Sequence, residues 1–296
     1  MAATQTVQVA HLGAKVGYAI SNGKLDPAKP TVVMLNSMNT TASLYKPQME
    51  SAKLTAAANV LAIEPLGHGA TSCSQDHFTY WDTALVALQA MTALGVDKAF
   101  ALGTSQGGWI VVRMALLAPE RILGLLPLGT SMDCESAESR TKGCWDPVPF
   151  AQPFLAKWTS STPTPDFVVD DVWVASLVSL GFGDAATPSI TEAWTKTFKT
   201  VYSGDEGRRK LRSSAICLAE RDGLLLRIGD VKCPVHWLQG LADPVYNSII
   251  PKEHIKLFTS SKEAKIDFLE GGAHFLSASH PTEVEAAVLD MVKKYA

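Results

Sequence analysis

Long apolar runs are missing from this chain. None reaches the ~18 residues expected of a bilayer-spanning helix, so no membrane span is expected. The opening stretch MAATQTVQVAHLGAKVG has no basic segment followed by a long apolar core, so a secretory signal is not expected either. The closing VKKYA carries no lipidation or retention signal. Positive charge is not in excess: the formal net charge is −3, which argues against a nucleic-acid surface. The densest basic run, Arg208-Arg209-Lys210 with Arg212 nearby, follows Asp205-Glu206 and reads as a solvated helix face. Cysteine is scarce. The five residues Cys73, Cys134, Cys144, Cys217 and Cys233 are odd in number and form no Cys-x-x-Cys pair, so they read as reduced thiols of a cytoplasmic protein rather than a disulfide framework or a metal site. A Cys134–Cys144 bridge stays open as the alternative. No histidine or cysteine cluster has metal-ligand spacing, and neither a metal nor another cofactor is expected.

What is present is strand–helix alternation. Thr6–Ala10 and Val16–Ile20 are short, alternating and separated by glycine, as in a hairpin. Thr31–Leu35 (TVVML) is a continuous apolar run, the signature of a strand buried on both faces. Asn59–Ile63, Lys98–Leu102, Ile122–Leu128, Val235–Gln239 and Lys265–Leu269 read the same way. Helical spacing of apolar residues lies between them, over Tyr80–Leu94, Gln106–Leu117, Pro251–Phe258 and Pro281–Tyr295. This alternation predicts an α/β fold with a mostly parallel sheet covered by helices on both faces.

One segment interrupts the rhythm. From Ser131 to Arg212 there is no clear buried strand, only Pro-rich loops and short helical patterns. It holds ten aromatic rings, against seven Trp, six Tyr and ten Phe in the whole chain. Most of them are expected to form a small core of the segment's own. A few, with Trp145, Trp158, Trp173 and Trp194 as candidates, are expected to face the sheet and line an apolar pocket.

The chemistry centres on ALGTSQGGWI, residues 101–110. Three glycines in six residues would weaken an ordinary element. Gly103-x-Ser105-x-Gly107, set between a buried strand and a helix, instead matches a nucleophile elbow, in which glycines let strand and helix approach closely around an exposed serine. A serine nucleophile needs a base, and the base an orienting acid. In this architecture they follow in the chain order Ser, Asp/Glu, His. His274, in EGGAHFL, comes directly after the Lys265–Leu269 strand. Asp243, in QGLADPVY, comes just past the Val235–Gln239 strand. Asp133, beyond the Ile122–Leu128 strand, is the competing acid. Two backbone N–H groups must receive the oxyanion. They are assigned to Gln106, after the nucleophile, and to Met38, in the NSMNTT loop after the Thr31–Leu35 strand.

On these features the chain resembles the α/β-hydrolase superfamily over nearly its whole length. The resemblance is carried by the strand order and by GTSQGG, PLGHGATS, GLADPV and GGAHF. It implies a core of residues 1–130 and 213–296, an eight-stranded sheet, and a helical cap over 131–212. Asn36 and Ser37 stand where many relatives carry His-Gly. Gly67-His68-Gly69 reads as a structural loop beneath the site. The stretch NSMNTTASLYKPQ is similar to the Asn-Ser loop of 3-oxoadipate enol-lactone hydrolases, followed like theirs by an aromatic and Pro-Gln. Met38-Asn39 replaces their Leu-Gly pair, so that particular substrate is not implied.

The expectation is a cofactor-free serine hydrolase acting on a small apolar ester or lactone. Two other classes share the fold: carbon–carbon bond hydrolases or lyases using the same triad, and receptor-like members that bind a ligand with little turnover. Retention of all three triad residue types argues against the last.

Overall fold

The computed structural model describes residues 4–296. Strands β1 (Gln5–Gln8) and β2 (Lys15–Ile20) form the expected antiparallel hairpin, joined through a turn at His11–Gly13. The others are β3 (Thr31–Leu35), β4 (Asn59–Ile63), β5 (Ala99–Thr104), β6 (Ile122–Leu128), β7 (Val235–Gly240) and β8 (Ala264–Leu269). They make one eight-stranded sheet in the order β1-β2-β4-β3-β5-β6-β7-β8. β2 runs antiparallel to β4, and every pairing from β4 onward is parallel.

Two differences from the sequence reading have physical causes. β5 begins at Ala99 and runs on to Thr104, because Gly103 and Thr104 pair with Pro127 and Leu128 of β6. β8 was expected to be buried on both faces, but it is the sheet's last strand, pairs only with β7, and has no fully buried position: Ala264 and Asp267 are exposed and the rest are half-buried.

Helices α1 (Lys46–Glu50) and α2 (Ala52–Ala57) connect β3 to β4, α3 (Tyr80–Ala93) connects β4 to β5, and α4 (Gln106–Leu117) connects β5 to β6. α3 starts on a capping box: the Thr79 hydroxyl accepts from the Asp82 N–H at 3.2 Å, and Asp82 Oδ2 accepts from the Thr79 N–H at 2.8 Å. Only helices lie between β6 and β7: α5 (Ala137–Thr141), α6 (Pro147–Trp158), α7 (Asp171–Phe182), α8 (Pro188–Val201) and α9 (Gly204–Ala219). The division expected after residue 212 falls inside α9, whose buried positions continue through Ala215, Cys217 and Leu218. α10 (Ile249–His254), α11 (Leu276–Ser279) and α12 (Pro281–Tyr295) complete the chain. α10 begins two residues before the expected Pro251, which sits in its first turn.

The period of two in a strand splits the sheet's side chains between two layers. Val33 and Leu35 of β3 join the cluster built with α3 and α4, whereas Val32 and Met34 join the cluster built with α2 and α12. A third cluster belongs to the helical segment. It contains Trp158, Trp173, Trp194 and Phe198, together with Met38, Leu44 and Phe275 from loops of the sheet. That shared cluster fixes the helices over the carboxyl ends of the strands. All five cysteines are free.

Candidate active site

β5 ends at Thr104 and α4 begins at Gln106, leaving Ser105 alone at the corner. Its φ of 54° and ψ of −121° are rare for any residue with a Cβ and cost on the order of 1–3 kcal/mol. The surroundings impose the conformation. The Ser105 N–H donates to Leu128 O at 2.8 Å, and Ser105 O accepts from the Gly108 N–H at 2.7 Å. A Cβ on Gly103 would lie 2.1 Å from Gly107 O, and one on Gly107 would lie 2.0 Å from Leu35 O. Strand and helix therefore cross at backbone contact, which no other residue type permits.

Ser105 follows β5, Gly129 follows β6, Asp243 follows β7 and His274 follows β8, four adjacent parallel strands. Gly129, at φ 50°, lies against the last two of them. A Cβ there would lie 2.5 Å from His274 O, 3.2 Å from Asp243 Oδ2 and 3.3 Å from His274 Nδ1. His274 Nδ1 and Asp243 Oδ2 are 2.9 Å apart, and both side chains are buried. A carboxylate oxygen only accepts, so Nδ1 carries a proton, and of the two neutral tautomers the pair selects the one with its lone pair on Nε2. Asp243 is held at every other direction by donors. Oδ1 accepts from the Val245 and Tyr246 N–H groups at 2.8 and 3.1 Å, and Oδ2 also accepts from Gln239 Nε2 at 3.0 Å.

Asp133, the competing acid, is turned to another task. Its carboxylate accepts from the Cys134 N–H at 2.8 Å and from the Ser136 and Ser139 hydroxyls at 2.9 and 2.5 Å, bracing the start of α5. None of the hydrogen bonds among the described residues joins it to His274.

Gln106 occupies the first position of α4, where its N–H has no intrahelical acceptor. Its side chain is locked from both ends. His68 Nδ1 donates to Leu66 O at 2.8 Å, so His68 Nε2 accepts from Gln106 Nε2 at 2.8 Å, while Gln106 Oε1 accepts from Tyr80 at 3.2 Å. Burial pushes the His68 pKa down to about 4, and the nearby Lys210 charge adds to this against the Leu66 hydrogen bond. The imidazole is therefore neutral at neutral pH and can accept. Met38 and Asn39 are the central residues of a turn closed by the Thr40 N–H on Ser37 O at 3.1 Å. Asn36 Nδ2 braces that turn through Thr40 O at 2.8 Å.

Of the four tryptophans, Trp158, Trp173 and Trp194 are buried in the third cluster. Trp158 and Trp173 meet edge-on at 4.8 Å, and Phe150 stacks on Trp173 at 5.0 Å. Trp145 is only partly buried. Its ring packs against two clusters, and its backbone N–H donates to Val245 O at 2.9 Å, two residues past Asp243.

Sequence reasoning missed a support beneath the acid. Arg221 and Glu135 form an ion pair with both side chains 1% exposed. The Tyr246 hydroxyl donates to Glu135 at 2.5 Å, and the guanidinium lies 4.5 Å over the Trp109 ring. Tyr246 in turn supplies one of the N–H groups on Asp243. Glu135, Arg221 and Tyr246 are 25 to 111 positions apart in sequence, so no local pattern announces them.

Residues 30–142 match the family model described as alpha/beta hydrolase fold. A hydrolase from Pseudomonas aeruginosa PA01 superposes with a TM-score of 0.75, 22% identity and 98% coverage of both chains. The enol-lactonase of Burkholderia xenovorans LB400 gives 0.75 at 18% identity, over 97% of this chain and all of that one (100%). The chain has the α/β-hydrolase fold. A thermophilic esterase from Thermogutta terrifontis shares the α/β-hydrolase architecture as closely, at a TM-score of 0.77 and 15% identity over 99% of each chain. Among curated proteins, a candidate carbamate hydrolase, RutD of Stutzerimonas stutzeri (strain A1501), is 25% identical over 108 residues, which span 36% of this chain and 40% of that protein. No helix among the described residues is long and apolar enough to cross a membrane.

Proposed function

We propose that the protein is a serine hydrolase that cleaves a small apolar carboxylic ester or lactone through an acyl-enzyme. The observation that carries this reading is the Asp243–His274 pair at 2.9 Å, set past the ends of β7 and β8, with Ser105 held at positive φ past the end of β5 in the same sheet. Asp243 fixes the imidazole tautomer, so Nε2 is the atom that takes the Ser105 proton as Oγ attacks the carbonyl carbon. The carbonyl oxygen gains a negative charge, received by the Gln106 N–H at the positive end of α4 and by the Met38 N–H. Nε2–H then protonates the leaving oxygen. Water, deprotonated by the same nitrogen, releases the acid. For a lactone the leaving oxygen stays tethered to the acyl group throughout, and the second step frees a single hydroxy acid from Ser105.

Residues 131–212 act as a cap in this reading. Its aromatic content favours apolar acyl groups, and Trp145, a half-buried tryptophan whose backbone bonds the loop after Asp243, is the foremost candidate to line the pocket. Trp158, Trp173 and Trp194 support it from behind. The lactone side of the proposal is motivated by the similarity to an enol-lactonase, and the ester side by the similarity to an esterase.

Ser105→Ala tests the assignment. Turnover of 4-nitrophenyl acetate and butyrate and of a lactone panel should fall by roughly 10⁴–10⁶ in kcat. A fluorophosphonate should add one adduct mass to the wild-type chain and none to the variant. Hydrolysis retained in the Ala variant would sink the reading.

A further inference from the structure

The turn that presents the Met38 N–H is gripped by two helices from outside the sheet. Asn39, next to Met38, is completely buried and has φ 53°. Its Oδ1 accepts from Trp173 Nε1 of α7 at 3.0 Å, and its Nδ2 donates to Ser214 Oγ of α9 at 3.0 Å. Ser214 Oγ passes its own proton to Leu211 O at 3.0 Å. An indole N–H can only donate, and the serine has one proton, already placed, so the amide has a single workable orientation. The Met38 side chain packs in the same cluster as Trp158 and Trp173. Both central residues of the turn are thus attached to the helical segment, while Ser37 and Thr40 are tied to Asn36 below.

We infer that Asn39 is a positioning residue: a latch through which α7 and α9 set the Met38 N–H at the distance an oxyanion requires. The inference rests on the hydrolase reading above. Donors to an oxyanion must lie within a few tenths of an ångström of their place, and the charge they meet exists only in the transition state. A loosened latch therefore shows in kcat rather than in substrate binding. Turnover is also tied to seating of the helical segment, because the same two hydrogen bonds that hold Asn39 close the segment onto the turn.

Asn39→Gly is the informative substitution, since glycine adopts φ 53° without strain and both latch bonds are lost. Trp173→Phe and Ser214→Ala each remove one bond and leave Asn39 in place. Steady-state kinetics on the full chain with 4-nitrophenyl butyrate should show kcat down about 10- to 100-fold in Asn39→Gly, with KM within about threefold. The inhibition constant of phenylboronic acid, which mimics the tetrahedral adduct, should rise by a similar factor. The two single-bond variants should show smaller losses of the same kind, and Trp173→Phe should add almost nothing in the Asn39→Gly background. If Asn39→Gly does not fold, the two single-bond variants decide by the same kcat-against-KM split. A lowered Tm with kcat unchanged well below every Tm, or a loss confined to KM, would overturn the latch. Activity abolished by Ser105→Ala but untouched by Asn39→Gly removes the latch alone, and activity surviving Ser105→Ala removes the hydrolase reading and the latch with it.

Discussion

Two carboxylates stand past the ends of neighbouring strands, and their surroundings separate them. Asp243 is ringed by donors and has His274 as one of its partners, whereas the Asp133 carboxylate is spent on Cys134, Ser136 and Ser139. With the side-chain oxygen kept on the Val245 and Tyr246 N–H groups, asparagine at 243 would turn its amide N–H toward Nδ1 and favour the wrong tautomer. Asp243→Asn is therefore expected to lower kcat by about 10⁴, while Asp133→Asn keeps kcat within a few fold and lowers Tm. Parallel kinetics and melting curves check both; a damaging Asp133 change with a mild Asp243 change would move the acid to the other strand.

At the scale of elements, the site depends on how closely two backbones cross. Gly107 lets α4 rest on the end of β3, where Leu35 O would be 2.0 Å from an added Cβ. That neighbour is backbone hydrogen-bonded to the buried Tyr45 hydroxyl at 2.6 Å, so it has little room to give. Gly107→Ala should cost at least ~3 kcal/mol and displace Ser105, lowering Tm and activity together. The aromatic helices allow a contrasting test. Trp158→Ala empties a fully enclosed position and should cost about 3–5 kcal/mol, changing acetyl and butyryl esters by one common factor. Trp145→Ala should do the reverse, with little change in Tm and a larger loss of kcat/KM for butyryl than for acetyl esters. Equal factors for both esters in the Trp145 variant would exclude that ring from the pocket.

For the whole molecule, pH acts through buried histidines. Burial lowers the pKa of His68 to about 4 and also lowers those of His236 and His254. A histidine whose folded pKa lies below its unfolded value near ~6.5 binds its proton more readily in the unfolded chain. Its contribution is complete above pH ~6.5 and is lost as pH falls toward the folded value. For His68 that is a loss on the order of 3 kcal/mol between pH ~6.5 and ~4. Glu64 works in the opposite sense: burial raises its pKa, so its protonation on acidification relieves a buried charge. Comparing His68→Gln with the wild type cancels the shared terms. Its Tm should vary less steeply with pH over this window, and identical slopes would show that His68 does not titrate on unfolding.

The sequence alone determined what period and local chemistry encode. β3, β4, β6, α4 and α12 fall on the ranges their apolar patterns predict, because a strand covered on both faces must be apolar throughout and a helix must repeat its buried stripe. The elbow was legible for the same reason: Gly-x-Ser-x-Gly states a steric need of the backbone within five residues. Chain order past successive strands made His274 and two carboxylates, Asp243 and Asp133, legible as candidates. Tertiary structure decided the rest. Whether β8 is covered depends on its being the last strand, which its own residues do not record. Which of the two carboxylates reaches His274 depended on the folded chain, which sets Asp243 Oδ2 2.9 Å from His274 Nδ1. The support from Glu135, Arg221 and Tyr246, and the grip of Trp173 and Ser214 on Asn39, join residues 25 to 175 positions apart. Such contacts leave no periodic trace, because each side chain is chosen by a neighbour that only the folded chain supplies.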